Sequence, residues 1–306
     1  RFLLPPALIG IVIGALSFRT LDSRLVAGVV GVLTLLFLAQ RLLFPPRADH
    51  PPPARWLGRL LSATSGFTSF VAHAGGPPLN VYVIPLKLKP VVFTGSMQPA
   101  GVPNGDAWPN LFGALRALHQ GVAPGVHLYF NGQLMHGARC AKLRSDAFDA
   151  FQVLPRQRQS GRAESIPARI DYRQPRQAVN LAVVPFYPGI QASHLRALLD
   201  SGVQGLLLEC YGSGTGPADD AELLGVLKAA HERGVVLAAI SQCPHGHVEF
   251  GVYAAGSQLA STGLVSAGGM TREAALGKLF ALLGAGLSQA EVEHWYALDV
   301  CGERAD

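Results

Sequence analysis

Apolar and polar positions follow two different patterns along this chain. "FLLPPALIGIVIGALSF" (2–18) and "LVAGVVGVLTLLFLAQ" (25–40) contain no charged residue, and Leu42 to Phe44 extend the second run beyond Arg41. Each run is near the length that crosses hydrocarbon as a helix, about 20 residues. The connector "RTLDSR" is short, so the runs predict an antiparallel helix pair. A pair of buried helices in a soluble core is the alternative. Gly10, Gly14, Gly28 and Gly31 favour the membrane, where small residues let helices approach closely. Arg41, Arg47, Arg55 and Arg59 surround "PPRADHPPPA" and mark it as the cytoplasmic side. The next segment, "SGFTSFVAHAGGPPLNVYVIPLKL" (65–88), holds a helix breaker at Gly75, Gly76, Pro77 and Pro78. It reads either as a broken membrane helix whose freed N–H groups face an anion or as an ordinary loop. His73 reads as an anion-path residue or as a packed histidine.

From Pro90 the pattern becomes that of an α/β protein. "PVVFTGS" is a short strand entering a turn, and "NLFGALRALHQ" (110–120) places Leu111, Leu115 and Leu118 at helical spacing. "GVHLYFNGQLMHGARCAKL" predicts two strands joined at Asn131-Gly132. The polar, proline-bearing stretch 154–177 reads as a linker. Beyond it, "AVNLAVVPFY", "VQGLLLEC" and "VVLAAISQC" are strands separated by two helices, a β-α-β-α-β order that implies a parallel sheet. "ADDAELLGVLKAAHERG" carries acid in its first turn and His231 and Arg233 in its last, as the helix dipole favours. Two helices close the chain, the second opening on a Ser288-to-Glu291 capping box.

Composition sharpens the division. The 306 residues are 49% hydrophobic and 15% charged with mean hydropathy +0.27, averages that hide an uncharged start and an Arg-rich middle. The net charge of +5 is dispersed, with no basic block interleaved with aromatics, which argues against nucleic acid. Four cysteines lie far apart without a CxxC pair, which fits a reducing compartment rather than a disulfide scaffold or zinc site. The sequence begins at Arg1 without Met, which suggests a missing start, and 1–18 lacks the cleavage site of a secretory signal.

Ligands of parallel sheets gather at strand carboxyl ends, and "FYPGI", "YGSGTGP" and "SQCPHGH" fall there. The middle loop lacks the Lys-Ser/Thr of a phosphate cradle. Cys243, His245 and His247 are spaced for a loop metal site but have no second ligand cluster.

Two resemblances follow. "GFTSFVAHAGGPPLNVYVIPLKL" resembles the signature of the TauE/SafE sulfite-exporter membrane family, over about residues 1–95. That likeness implies an anion path at His73, Gly75, Gly76, Pro77 and Pro78, although the family's helices number far more than the two or three available here. "PVVFTGSMQPAGVPNGDAWPNL", "GARCAKLRSDAFDAF", "FYPGI", "YGSGTGP" and "SQCPHGHVEFGVYAAGSQLASTGLVSAGGMT" together resemble the bacterial cytosolic type I L-asparaginases, over about 87–306 and in that family's order. This second likeness implies hydrolysis of L-asparagine to aspartate and ammonia without a cofactor or metal. It also implies a homodimer or tetramer whose site is shared between subunits. Lys142 matches the family's catalytic lysine, Ser96 a position lining the substrate amide, and Thr215 the loop lent by a neighbouring subunit. The family's nucleophilic threonines, in Gly-Gly-Thr-Ile-like and His-Gly-Thr-Asp-Thr-like stretches, have no counterpart in this sequence. Thr94 is a spare hydroxyl with nothing to mark it as activated.

"KPVVFTG" fits both families, so the expectation is a chimera joined within about 84–97. Its parts are a transmembrane-like helical fragment (1–86), a truncated N-terminal α/β domain (87–170) and a C-terminal α/β domain (171–306). The expected function is that of an asparaginase-family amidohydrolase, inactive as given. The alternatives are a fragment of a sulfite or organosulfonate exporter, or a fusion without selected function. The α/β part is expected in the cytoplasm, with residues 1–84 at the inner membrane.

Overall fold

The structure, a computed structural model, describes residues 4–17, 56–57, 59–64, 90–154, 163, 165–171 and 176–304. Chain contacts divide it into two units, Arg1–Lys89 and Pro90–Asp306.

In the first unit, helix α1 spans Leu4–Ser17. Pro5 and Pro6 sit in its first turn, where a missing N–H costs nothing. Its apolar side chains stay open, with Leu8, Ile9, Val12 and Ile13 each about half exposed. Fourteen residues at the α-helical rise span about 21 Å, short of the roughly 30 Å of hydrocarbon. Among the described residues no helix is long and apolar enough to cross a membrane. Of the expected span over 2–18, residues 4–17 are helical, and its first two residues and its last lie outside the described residues. The expected second span (25–40), His73 and the Gly75–Pro78 breaker also lie outside the described residues.

The second unit opens with a small sheet. Strand β1 (Val91–Thr94) pairs in parallel with β2 (Val126–Phe130) across helix α2 (Ala107–Gln120). Strand β3 (Gln133–His136) then turns back antiparallel. The turn is the expected Asn131-Gly132 pair, with φ of 47° and 78°, the two left-handed residues a tight hairpin demands. A second hairpin, β4 (Cys140–Lys142) with β5 (Phe151–Val153), packs beside it. Phe130, Met135 and Ala150 form the small core, with Met97, Leu128, Cys140 and Phe151 against it.

Helix α2 differs from its leucine pattern. Its buried positions are Asn110 and Ala114, while Leu118 is exposed. Asn110 earns its burial through hydrogen bonds, donating to the Gly95 carbonyl and accepting from the Asn131 N–H. Polar bonding, which hydrophobic periodicity does not record, sets the inward face.

The larger layer is a four-stranded sheet in the order β6 (Leu181–Pro185), β7 (Gly205–Cys210), β8 (Val236–Ser241) and β9 (Val265–Ser266), all parallel. Helices α3 (Ala192–Leu199), α4 (Ala221–Glu232) and α5 (Ala254–Ala260) pack with Leu206, Leu208 and Leu237 on one face. Helices α6 (Arg272–Gly284) and α7 (Gln289–Ala297) pack with Leu207, Val236 and Ala238 on the other. Cover on both faces explains why β7 and β8 read as continuous apolar runs. The Ser288 capping box forms as expected, and Asp220 caps α4 by accepting from the Leu223 N–H. Helix α5 and the two-residue β9 were not anticipated from the sequence pattern.

Candidate functional site

The carboxyl ends of β6, β7 and β8 are tied into one rim. The Gln242 side-chain amide donates to the carbonyls of Phe186 (2.7 Å) and Glu209 (2.8 Å), bridging the first two strands from the third. The Ser241 hydroxyl donates to the Gly212 carbonyl at 2.6 Å, and the Glu249 N–H donates to Ser213 O at 2.8 Å. The loops "YGSGTGP" and "SQCPHGH" are thus bonded to each other.

The glycines of "YGSGTGP" have a backbone reason. Tyr211 and Thr215 form an isolated bridge that closes the loop, with Thr215 Oγ1 donating to the Tyr211 carbonyl at 3.3 Å. Gly214, buried inside it, has φ +112°, and a Cβ there would lie 2.7 Å from a Val248 methyl. Gly214→Ala should therefore destabilise the fold by about 2–3 kcal/mol through backbone strain and crowding, read as a fall in the urea midpoint. An unchanged midpoint would show that the loop relaxes freely.

Ser96 and Lys142 sit elsewhere, around the small core. Ser96 is exposed on the loop after β1, and its neighbour Met97 packs into the cluster that contains Cys140 and Phe151 of the Lys142 hairpin. The Lys142 ammonium lies 5.9 Å from the Phe151 ring centre. Among the described residues, no hydrogen bond or ion pair joins Lys142, Ser96 or Thr215 to one another. Thr94 Oγ1 donates to the Tyr129 carbonyl at 2.8 Å.

The Ser96 loop is held by a residue the sequence pattern did not reveal. Asp106 stands at the start of α2, where an Asp usually caps the helix, yet its side chain makes no cap bond. Its carboxylate instead reaches back to the N–H groups of Met97 (2.8 Å) and Gln98 (3.0 Å) and accepts from Asn110 Nδ2. Only its distance of eight to nine residues from those donors hid it. Asp106→Ala should cost about 1–3 kcal/mol, because two loop N–H groups lose a charged acceptor. Equilibrium urea unfolding measures this, and a change within 0.3 kcal/mol, about the noise of independent sites, would refute the anchoring role.

Other chemistry-bearing side chains are structural here. Burial pushes the Cys210 thiol up to about 12, so it stays protonated at neutral pH. All four cysteines are free. Glu209, buried at the end of β7, accepts from Arg272 Nε. His247 Nε2 lies 3.2 Å from Glu249. Among the described residues, no group of three His, Cys, Asp or Glu could hold a metal ion.

A parallel sheet with a bonded loop rim at its strand carboxyl ends, preceded by a smaller α/β layer, defines an α/β protein of the kind that binds ligands at that rim. Comparison narrows the class. Residues 79–176 match the asparaginase N-terminal domain family and residues 180–296 match the glutaminase/asparaginase C-terminal domain family. L-asparaginase 1 of Escherichia coli K12 is 35% identical over 225 residues, covering 70% of this chain and 66% of that one. The L-asparaginase of Thermococcus kodakarensis is 31% identical over 259 residues, covering 79% of this chain and 72% of that one. The crystal structure of L-asparaginase I from Vibrio cholerae superposes with TM-score 0.59 at 34% identity, covering 71% of this chain and 68% of that chain. The chain belongs to the asparaginase family of amidohydrolases. It spans about two thirds of the E. coli relative's length. The N-terminal match begins at residue 79, ahead of the expected junction within 84–97.

Proposed function

We propose that this chain carries the asparagine-recognising part of an L-asparagine amidohydrolase site and that it binds the amide without turning it over. Amide hydrolysis needs an activated hydroxyl, a base and an oxyanion stabiliser. In this reading Lys142 supplies the cation that supports the nucleophile, Ser96 lines the substrate amide, and Thr215 belongs to the loop offered to a second copy. The observation that carries the reading is the anchoring of the Ser96 loop by Asp106 beside the Lys142 hairpin, a shaped and exposed polar edge on a packed core. The substrate class comes from the relatives' names. A homodimer or tetramer follows from the same likeness, since Ser96 and Lys142 on one layer and Thr215 on the other share no bond within the chain. A cytoplasmic setting agrees with four free cysteines. The exporter and membrane readings of residues 1–84 rest on the apolar runs and the Gly75–Pro78 motif of the sequence.

Isothermal titration with L-asparagine tests the proposal. Saturable binding is expected, weakened about fivefold by Ser96→Ala, which removes one hydrogen bond worth about 1 kcal/mol. Absence of heat at millimolar asparagine, or binding indifferent to Ser96, would reject it.

A further inference from the structure

The last described residues, after α7, are polar and yet buried. Asp299, Glu303 and Arg304 are 1%, 3% and 7% exposed. On one side they grip the C-terminal layer. The Glu303 carboxylate accepts from Lys278 Nζ of α6 at 2.5 Å and from the Cys301 N–H at 2.7 Å. Arg304 Nη1 donates to the carbonyls of Ser266 and Tyr296, each at 3.1 Å.

On the other side the same segment grips the smaller layer. Arg139, 5% exposed, sends Nη1 to the Glu303 carbonyl at 3.5 Å and Nη2 to the Leu154 carbonyl. The Ala163 N–H donates to Asp299 O and the Leu154 N–H to Arg139 O, both at 2.9 Å. Gly302 lies against the His136 ring, close enough that a Cβ there would come within 3.5 Å of Nε2. Arg139 directly precedes β4, the strand that ends in Lys142.

We propose that residues 299–304 form a latch that docks the Lys142 hairpin onto the C-terminal layer, with Arg139 as the positioning residue through which the latch sets β4. A planar guanidinium holds its N–H donors in a rigid fork, so it donates to two carbonyls in set directions. The tail supplies one carbonyl and the strand exit at Leu154 the other, so Arg139 couples the two. Burial of the segment makes this arrangement unavailable to a frayed terminus. The docking stands whether or not Lys142 acts on asparagine; its consequence for the site rests on that reading.

Amide hydrogen exchange on the full chain tests it, comparing the native sequence with Arg139→Met, Arg139→Lys and a chain ending at Leu298. The shortened chain also carries Lys278→Met, which removes the cation that truncation would leave buried and unpaired. Amides of β4 and β5 should exchange at least about tenfold faster in Arg139→Met and in the shortened chain, with β7 and β8 unchanged. Arg139→Lys should fall between native and Arg139→Met. Hairpin protection that survives either change overturns the latch. Equal loss of protection in β7 and β8 also overturns it, since the tail would then be a general part of the core.

Discussion

The 306-residue chain should release no ammonia from L-asparagine above background at neutral pH. Replacing residues 1–89 with the N-terminal segment of an active relative, joined ahead of Pro90, should restore release. Loss of a nucleophile that works as a unit with its base costs on the order of a millionfold in rate, so the two chains should differ unmistakably in a coupled ammonia assay. Among the described residues, neither Thr94 nor Ser96 is placed to take over. Thr94, the nearest candidate in sequence, gives its proton to the Tyr129 carbonyl, and a carbonyl is no base. Ser96 is exposed on its loop, and among the described residues no histidine or carboxylate bonds its hydroxyl. The Lys142 ammonium lies 5.9 Å from the Phe151 ring centre, and among the described residues no carboxylate pairs with it. In the restored enzyme, Lys142→Ala should abolish activity again, because the lysine would then have its threonine and aspartate partners to organise. Ammonia release by the unaltered chain that survives purification and disappears on Thr94→Ala would overturn the prediction and identify a recruited nucleophile.

What could be read from the sequence follows from how local each signal is. The runs that became β7 and β8 were legible because a strand covered on both faces shows no alternation, and Asn131-Gly132 was legible because two left-handed residues leave few other choices. The Ser288 box declares itself within four residues. The signals that failed are those in which distant residues decide. The leucines of α2 suggested an apolar inward face, but Asn110 took it by bonding to Gly95 and Asn131. Asp106, which the sequence pattern did not mark, bonds the Met97 and Gln98 N–H groups nine and eight residues back. Strand β9, two residues long, exists by pairing with β8 and has no pattern of its own. The apolar first third read as membrane on hydropathy and on its Gly75–Pro78 motif; among the described residues no helix is long and apolar enough to cross a membrane, and the asparaginase likeness reaches back to residue 79. Ser96, Thr215 and Lys142 were named through family likeness, because a lone Ser, Thr or Lys carries no local signature.

The least legible pair gives the largest expected effect on stability. Lys278 and Glu303 are 25 residues apart, and each alone reads as a solvated charge. In the structure their side chains are 8% and 3% exposed and 2.5 Å apart. Burial lowers the Lys278 ammonium below its ordinary value, with Glu303 opposing that fall. Burial alone would raise Glu303, but the Lys278 charge and the N–H groups of Cys301 and Val300 override it and hold the carboxyl at about 2, below its ordinary 4.5. Lys278→Met or Glu303→Ala alone should cost about 3–5 kcal/mol, since each strands a buried partner. Lys278→Met combined with Glu303→Leu should cost far less, because no buried charge remains. The pH dependence has a definite sign. A carboxyl depressed by folding stabilises above its unfolded pKa, so this contribution, about 3 kcal/mol, is complete above pH 4.5 and is lost as pH falls toward 2. Urea midpoints of the native chain and the double variant, followed from pH 6 down to about 2, should therefore converge in acid or cross in favour of the variant. A gap between them that stays constant across that range would mean that Glu303 is not ionised in the folded protein.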